Sequence, residues 1–184
     1  YSIQFSFGRK FFSLGSGLAF NGRGDGLQLD FSAKSVHLKV MAAYIGYINF
    51  LNKELNPYGI SDKDISSGAR RLFVGGSISY GFYNQIIYIL ALGQLDFGEE
   101  SSTQKEHYQS QYYGLGFKGV ILDGLTYFAE GVFETGISYL NGTTDTSPII
   151  AGAAQFGMKY YFDATCNPVI IFNYAYGSGD KNRN

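Results

Sequence analysis

Apolar and polar residues alternate with a period of two along most of this chain, and the alternation divides it into nine runs. The clearest pair is Tyr113–Tyr139, YGLGFKGVILDGLTYFAEGVFETGISY, two runs around one Asp123-Gly124 step. In the first, Tyr113, Leu115, Phe117, Gly119 and Ile121 share a face. In the second, Leu125, Tyr127, Ala129, Gly131, Phe133, Thr135, Ile137 and Tyr139 share a face, opposite Thr126, Glu130, Glu134 and Ser138. Side chains alternate sides along a strand, so each run predicts a strand with one apolar, aromatic face. Asp-Gly between them predicts a hairpin, with positive φ at both central residues of a type I′ turn. The runs supply the ~9–11 residues that a tilted strand needs to cross a bilayer.

The other runs repeat this pattern. Tyr1–Phe12 sets Ile3, Phe5 and Phe7 against Ser2, Gln4, Ser6 and Gly8. A Gly/Ser/Asn-rich loop is expected over 13–25. Gly26–Ala33 sets Leu27, Leu29 and Phe31 against Gln28, Asp30 and Ser32, and a turn at Lys34-Ser35 leads into Val36–Phe50. A polar loop, Leu51–Ala69, precedes strands at Arg70–Phe82 and Ile86–Gly98, joined by a turn at 83–85. A charged loop, Glu99–His107, precedes the Asp123-Gly124 hairpin. A loop at Leu140–Pro148, strands at Ile149–Phe162 and Val169–Gly177, and a turn between them complete the series.

Two regularities give these strands a setting. Expected connections alternate long (13–25, 51–69, 99–107, 140–148) with short (34–35, 83–85, 123–124, 163–168), as outer-membrane barrels alternate extracellular loops with periplasmic turns. Charge also follows parity. Lys10, Asp30, Lys34, Lys39, Arg71, Asp96, Lys118, Glu130, Glu134 and Lys159 all fall opposite the apolar face of their strands. A Lys or Arg at mid-depth on a lipid face costs roughly 2–4 kcal/mol, falling towards zero at the interface. The exceptions, Arg9 and Arg70, lie near expected extracellular ends. Aromatics such as Phe50, Phe82, Phe97, Tyr113 and Tyr176 gather near strand ends, as interfacial girdles do.

Composition agrees with strands and excludes some functions. Gly (25), Tyr (16) and Phe (16) are abundant, Pro (3) is scarce and Trp is absent. Mean hydropathy is -0.06, because outward apolar and inward polar residues cancel in any window of a barrel strand. A net charge of -1 gives no electrostatic case for nucleic acid. At 184 residues the chain is expected to be one domain, 1–184. Without a signal peptide or initiator Met, it reads as a mature form or an excised piece. The single Cys166, in a turn, cannot form an internal disulfide.

Four stretches resemble the alginate-export family of outer-membrane, porin-like barrels. Phe7-Gly8-Arg9-Lys10, followed by Gly15 and Gly17, resembles that family's early Gly-Arg-Gln strand and Gly-rich loop. Asp25-Gly26-Leu27-Gln28-Leu29 resembles its next strand, which opens on Asp-Gly. Leu125–Gly136 resembles a later strand with an inward Glu and a closing Gly. Tyr174-Ala-Tyr-Gly-Ser-Gly-Asp-Lys-Asn182 resembles its Tyr-x-Tyr-Ala-Ser-Gly-Asp-Lys strand-to-loop signature. The four occur in family order across nearly the whole chain. Departures are Lys10 for Gln, Gly177 for Ala and Arg183 where Pro is usual, and they bear on the substrate more than on the fold. The resemblance implies a barrel of about 16–18 strands, so that a C-terminal half would be missing. It also implies passage of a polymer or small solute, often anionic.

Other motifs have plainer readings. Gly114-Leu-Gly116-Phe-Lys-Gly119 matches a dinucleotide fingerprint but lies inside an alternating strand with no helix after it. Arg23-Gly24-Asp25 is an adhesion-type tripeptide on an expected loop, and Asn141-Gly-Thr143 is a glycosylation sequon. Glu130 and Glu134 would sit about 13 Å apart along one strand, beyond the roughly 5–10 Å of a glycosidase pair. They are expected to face Lys118 on the paired strand and Lys159 on the next, either as a pore field or as a structural ion-pair ladder. His107, near Ser101, Ser102, Glu106 and Ser110, is the one place for Ser–His ester hydrolysis. Asp62, Asp64 and Glu54 could take calcium but lack an EF-hand pattern.

The expected protein is an all-β, antiparallel, up-and-down transmembrane β-barrel of the bacterial outer membrane, with about nine strands in this chain. It is expected to be a passive channel without catalysis, cofactor or metal, in contact with outer-membrane lipids. Its cargo would be a small polar solute or an anionic polysaccharide such as alginate. Expected pore-lining residues are Lys39, Arg71, Asp96, Lys118, Glu130, Glu134 and Lys159, and six inward basic residues against four acidic ones lean slightly towards anions. Two alternatives stay open: a complete small barrel of 8–10 strands acting as an anchor or adhesin through its loops, and an outer-membrane esterase using His107. Nine strands alone would leave two unpaired edges that lipid does not tolerate.

Overall fold

A computed structural model describes residues 1–45, 70–97, 108–139 and 146–179. The described residues form nine strands and no helix: β1 (Ser2–Leu14), β2 (Phe20–Ala33), β3 (Val36–Ile45), β4 (Arg71–Phe82), β5 (Gln85–Asp96), β6 (Tyr108–Leu122), β7 (Leu125–Tyr139), β8 (Thr146–Tyr161) and β9 (Val169–Gly177). They make one sheet in chain order, each strand antiparallel to the next. β1 and β9 are its two edges and do not pair with each other, so the sheet is not closed.

The period-two reading fixes which side chains share a face. Register carries the same parity from strand to strand, as in Asp30↔Lys39, Lys39↔Ser77 and Arg71↔Asp96. On one face, large hydrophobics stay exposed, among them Phe5, Val74, Ile89, Tyr113 and Ile150. The opposite face holds the buried residues. Phe12, Leu14, Phe20, Met41, Ala43, Phe73, Tyr88, Leu90 and Leu92 form a core there. Sequence parity made this face polar on β1–β4 and mixed on β5, where Leu90 and Leu92 stand with Gln94 and Asp96, so the apolar half across β1–β4 is a correction. Each of these strands contributes one to three residues, and their convergence makes the core.

The β2–β3, β4–β5 and β6–β7 connections are two-residue turns at one end. A single residue in the left-handed region turns the chain at Lys34 (φ 51), Tyr83 (φ 48) and Gly124 (φ 82). Asp123 does not share that conformation, so the expected type I′ turn is not what forms. Instead β6 carries a register irregularity between Val120 and Leu122, and such a bulge supplies local twist. Backbone bonds Gly81 N–H to Ser35 O, Val120 N–H to Asn84 O and Tyr161 N–H to Gly124 O tie each turn to the next strand.

The largest correction concerns the expected loop at 13–25. β1 runs to Leu14 and β2 starts at Phe20, leaving only the turn Gly15–Ala19. Gly22 and Gly24 suggested a loop, because glycine disfavours strand. Here they pair with Phe12 and Lys10, and a Cβ at Gly24 would come 2.8 Å from the Tyr44 carbonyl oxygen. Close backbone approach is what glycine allows in a strand. Arg23-Gly24-Asp25 therefore lies within β2, and Asp25 meets Arg9 at 3.8 Å across the hairpin. β6 also starts earlier than expected, at Tyr108, and β8 at Thr146. The predicted loops 51–69 and 99–107, and the end of the third expected strand, fall outside the described residues, as does the Asn141 sequon.

Candidate functional site on the inner face

All seven expected lining residues lie on the face that carries the core. Lys39 sits across from Asp30 and Ser77, and its Nζ reaches the Ser13 carbonyl oxygen at 3.5 Å. Arg71 donates from Nε to Asp96 Oδ2 at 3.2 Å, with Asp96 almost wholly buried, and its guanidinium stacks over the Tyr108 ring. Lys118 lies between Ile86 and Phe128, Glu130 between Gly116 and Gln155, Glu134 between Tyr112 and Ala151, and Lys159 between Thr126 and Ile171.

The two glutamates do not pair with lysines as the sequence suggested. Glu130 is only 3% exposed. Its Oε2 accepts from Tyr88 Oη and from the Ser16 backbone N–H, each at 2.6 Å, while Oε1 is buried without a hydrogen-bond partner among the described residues. Glu134 Oε1 accepts from Tyr108 Oη and, at 2.9 Å, from Ser110 Oγ. Register explains the difference. Gly116 is opposite Glu130, whereas Lys118 is opposite Phe128, two residues and roughly 7 Å nearer the short turns. Tyr88 reaches Glu130 by lying over Gly116, where any Cβ would enter its ring.

This predicts a substitution effect. Gly116→Val keeps a good strand former but forces the Tyr88 ring away and costs Glu130 a donor. Overpacking of this kind costs about 1–3 kcal/mol, to be read as a lowered denaturation midpoint.

One stretch of the inner face is basic. A cavity of about 760 Å³ opens at the short-turn end, lined by Lys34, His37, Gln85, Lys118, Lys159 and Asn173 among others, and no described lining residue is a carboxylate. Asp96, Glu130 and Glu134 all lie further towards the other end. Like charges grouped in one concavity focus the field there. The sequence placed Lys34, Lys118 and Lys159 on this face, and the fold brings Lys34 and His37, at the β2–β3 turn, to the same cavity.

Tyr88, Tyr108, Ser110 and Ser16 are the partners that sequence reading missed. One signal was available, a glycine in the same-face position across from a large residue, as at Gly116/Tyr88 and Gly114/Leu90. Ser110, weighed for ester hydrolysis, gives its hydroxyl hydrogen to Glu134. His107, Ser101, Ser102, Glu106, Glu54, Asp62 and Asp64 lie outside the described residues. Gly114–Gly119 is inside β6, and Cys166 is exposed between β8 and β9.

The fold and this face define an all-β protein made of one up-and-down antiparallel sheet, apolar on its exposed side except for Arg9, Arg23 and Asp25 on β1 and β2, and charged along part of its buried side. No family model matches the chain, and no curated protein matches it significantly.

Proposed function

We infer that this chain is part of the wall of a porin-like barrel in a bacterial outer membrane, and that it conducts polar solutes passively along its inner face. The observation that carries this reading is the inverted arrangement of the sheet. Exposed aromatic and aliphatic side chains cover its outer face from Ile3 and Phe5 on β1 to Phe172 and Tyr174 on β9. An apolar surface of that extent needs a covering, and a lipid bilayer covers both the outer face and its aromatic ends. The free edges of β1 and β9 then require further strands, because lipid satisfies no backbone donor or acceptor. That fits a barrel of about 16–18 strands and the resemblance to the alginate-export family. Lys34, Lys118 and Lys159 around one cavity favour anionic cargo, a small anion or an anionic polysaccharide.

Planar-bilayer recording of the full-length gene product tests this. Step conductances are expected, and silence from folded protein would overturn the channel. In a salt gradient, Lys118→Glu with Lys159→Glu is expected to move the reversal potential towards cation preference. An unmoved potential would remove those lysines from the conducting path.

A second reading is a small barrel of 8–10 strands with a packed interior, serving as an anchor or adhesin. The Phe12–Leu92 core favours it, since those side chains fill space on the inner face. The same recording separates the two.

A further inference from the structure

We propose that the Gly15–Ala19 turn is the constriction that sets the size limit for solutes crossing the inner face, and that Glu130 is the latch holding it there. The proposal rests on the channel reading above.

The turn belongs to β1 and β2 but touches the far side of the sheet. Ser16 N–H bonds Glu130 Oε2 on β7 at 2.6 Å, and Ser16 Oγ lies 3.4 Å from Gln155 Oε1 on β8. Neighbouring strands are about 4.8 Å apart, so a flat sheet would hold β2 and β7 some 24 Å from each other. The sheet must therefore curl, and the turn spans the concavity as a chord. Its root is anchored. Phe12 and Leu14 are wholly buried, and the Phe20 ring sits 4.4 Å from that of Phe73. A fixed root and a tip tied to the opposite wall make a strap.

The fit at the tip is close. Gly15 has φ +63, which disfavours other residues, and a Cβ there would strike the Glu130 carboxylate and come 2.6 Å from Leu90 Cδ2. Glu130 takes both donors on one oxygen, and bonds to an ionised acceptor are the stronger kind. Lys118, the cation nearest in register, does not neutralise it. Every described partner of this buried carboxylate thus serves either to bind the turn or to orient the group that binds it.

The experiment uses full-length protein in liposomes, with Cys166→Ser as background. Swelling is read with uncharged sugars from mono- to tetrasaccharide, and gel mobility confirms folding of each variant. Glu130→Ala, and separately replacement of Gly15–Ala19 by a two-residue Asn-Gly turn, are expected to raise tetrasaccharide uptake relative to monosaccharide. The rise for Glu130→Ala should be about tenfold, the rise in undocked population expected on losing one charge-assisted bond. Glu130→Gln, which keeps an acceptor, should fall between. Ser16→Cys with Gln155→Cys reads docking without any conduction. A short bis-methanethiosulfonate linker should bridge the pair readily, more slowly when Glu130→Ala is added, and the bridge should return that variant to the wild-type size limit until it is reduced. Relative uptake that ignores both the turn and the cross-link overturns the constriction alone. No uptake by wild type or by the turn-replaced variant overturns the channel reading and the constriction with it.

Discussion

Phe12→Ala is expected to lower the free energy of unfolding by about 3–5 kcal/mol, the range for deleting a fully buried aromatic. Phe12 is 0% exposed and sits among Leu14, Met41, Ala43 and Phe73, with Lys10 Nζ 5.3 Å from its ring centroid. No neighbour can collapse easily into the gap, because β1 is hydrogen-bonded in register to β2 and β2 in turn to β3. Phe11→Ala is the control. It removes the same atoms one residue away, from a ring 56% exposed on the outer face, and should cost less. Unfolding in urea, followed by gel mobility in lipid vesicles, measures both. Equal losses would show that the inner face is not the packed one.

Ile89→Arg is expected to cost about 2–4 kcal/mol in a bilayer, because a basic residue at mid-depth on a lipid face meets hydrocarbon. Ile89 is near the middle of β5, between Ile78 and Leu115, and 56% exposed on the outer face. An exposed position facing water tolerates such a change within about ±0.5 kcal/mol. The measurement therefore discriminates sharply. A neutral Ile89→Arg in vesicles would sink the membrane reading, whatever the inner face does. No charge on the inner face tests this so directly, since there the alternatives predict similar costs.

Much of the architecture was legible because it is local. Alternation assigns a face to each side chain without knowledge of the rest of the fold. Turn residues mark reversals for the same reason. Lys34-Ser35 and Asp123-Gly124 separate strands as expected, and the seven charged lining candidates do share one face. The errors have physical causes too. Gly22 and Gly24 argued for a loop by propensity, yet both pair within the sheet, and Gly24 lets the β3 backbone come close. Ion pairs were drawn between Glu130 and Lys118 from parity alone, whereas register set a glycine, and through it Tyr88, opposite the carboxylate.

The sequence by itself determined the strands, their order of faces and the outward placement of the large hydrophobics. All follow from a period of two that neighbouring residues impose on one another. Only the tertiary structure decided that an apolar core stands on the inner face, and that a turn near residue 16 meets a carboxylate 114 positions later. Such a contact depends on how far the whole sheet curls. Curl is the sum of small twists over nine strands, and no short stretch of the chain records that sum.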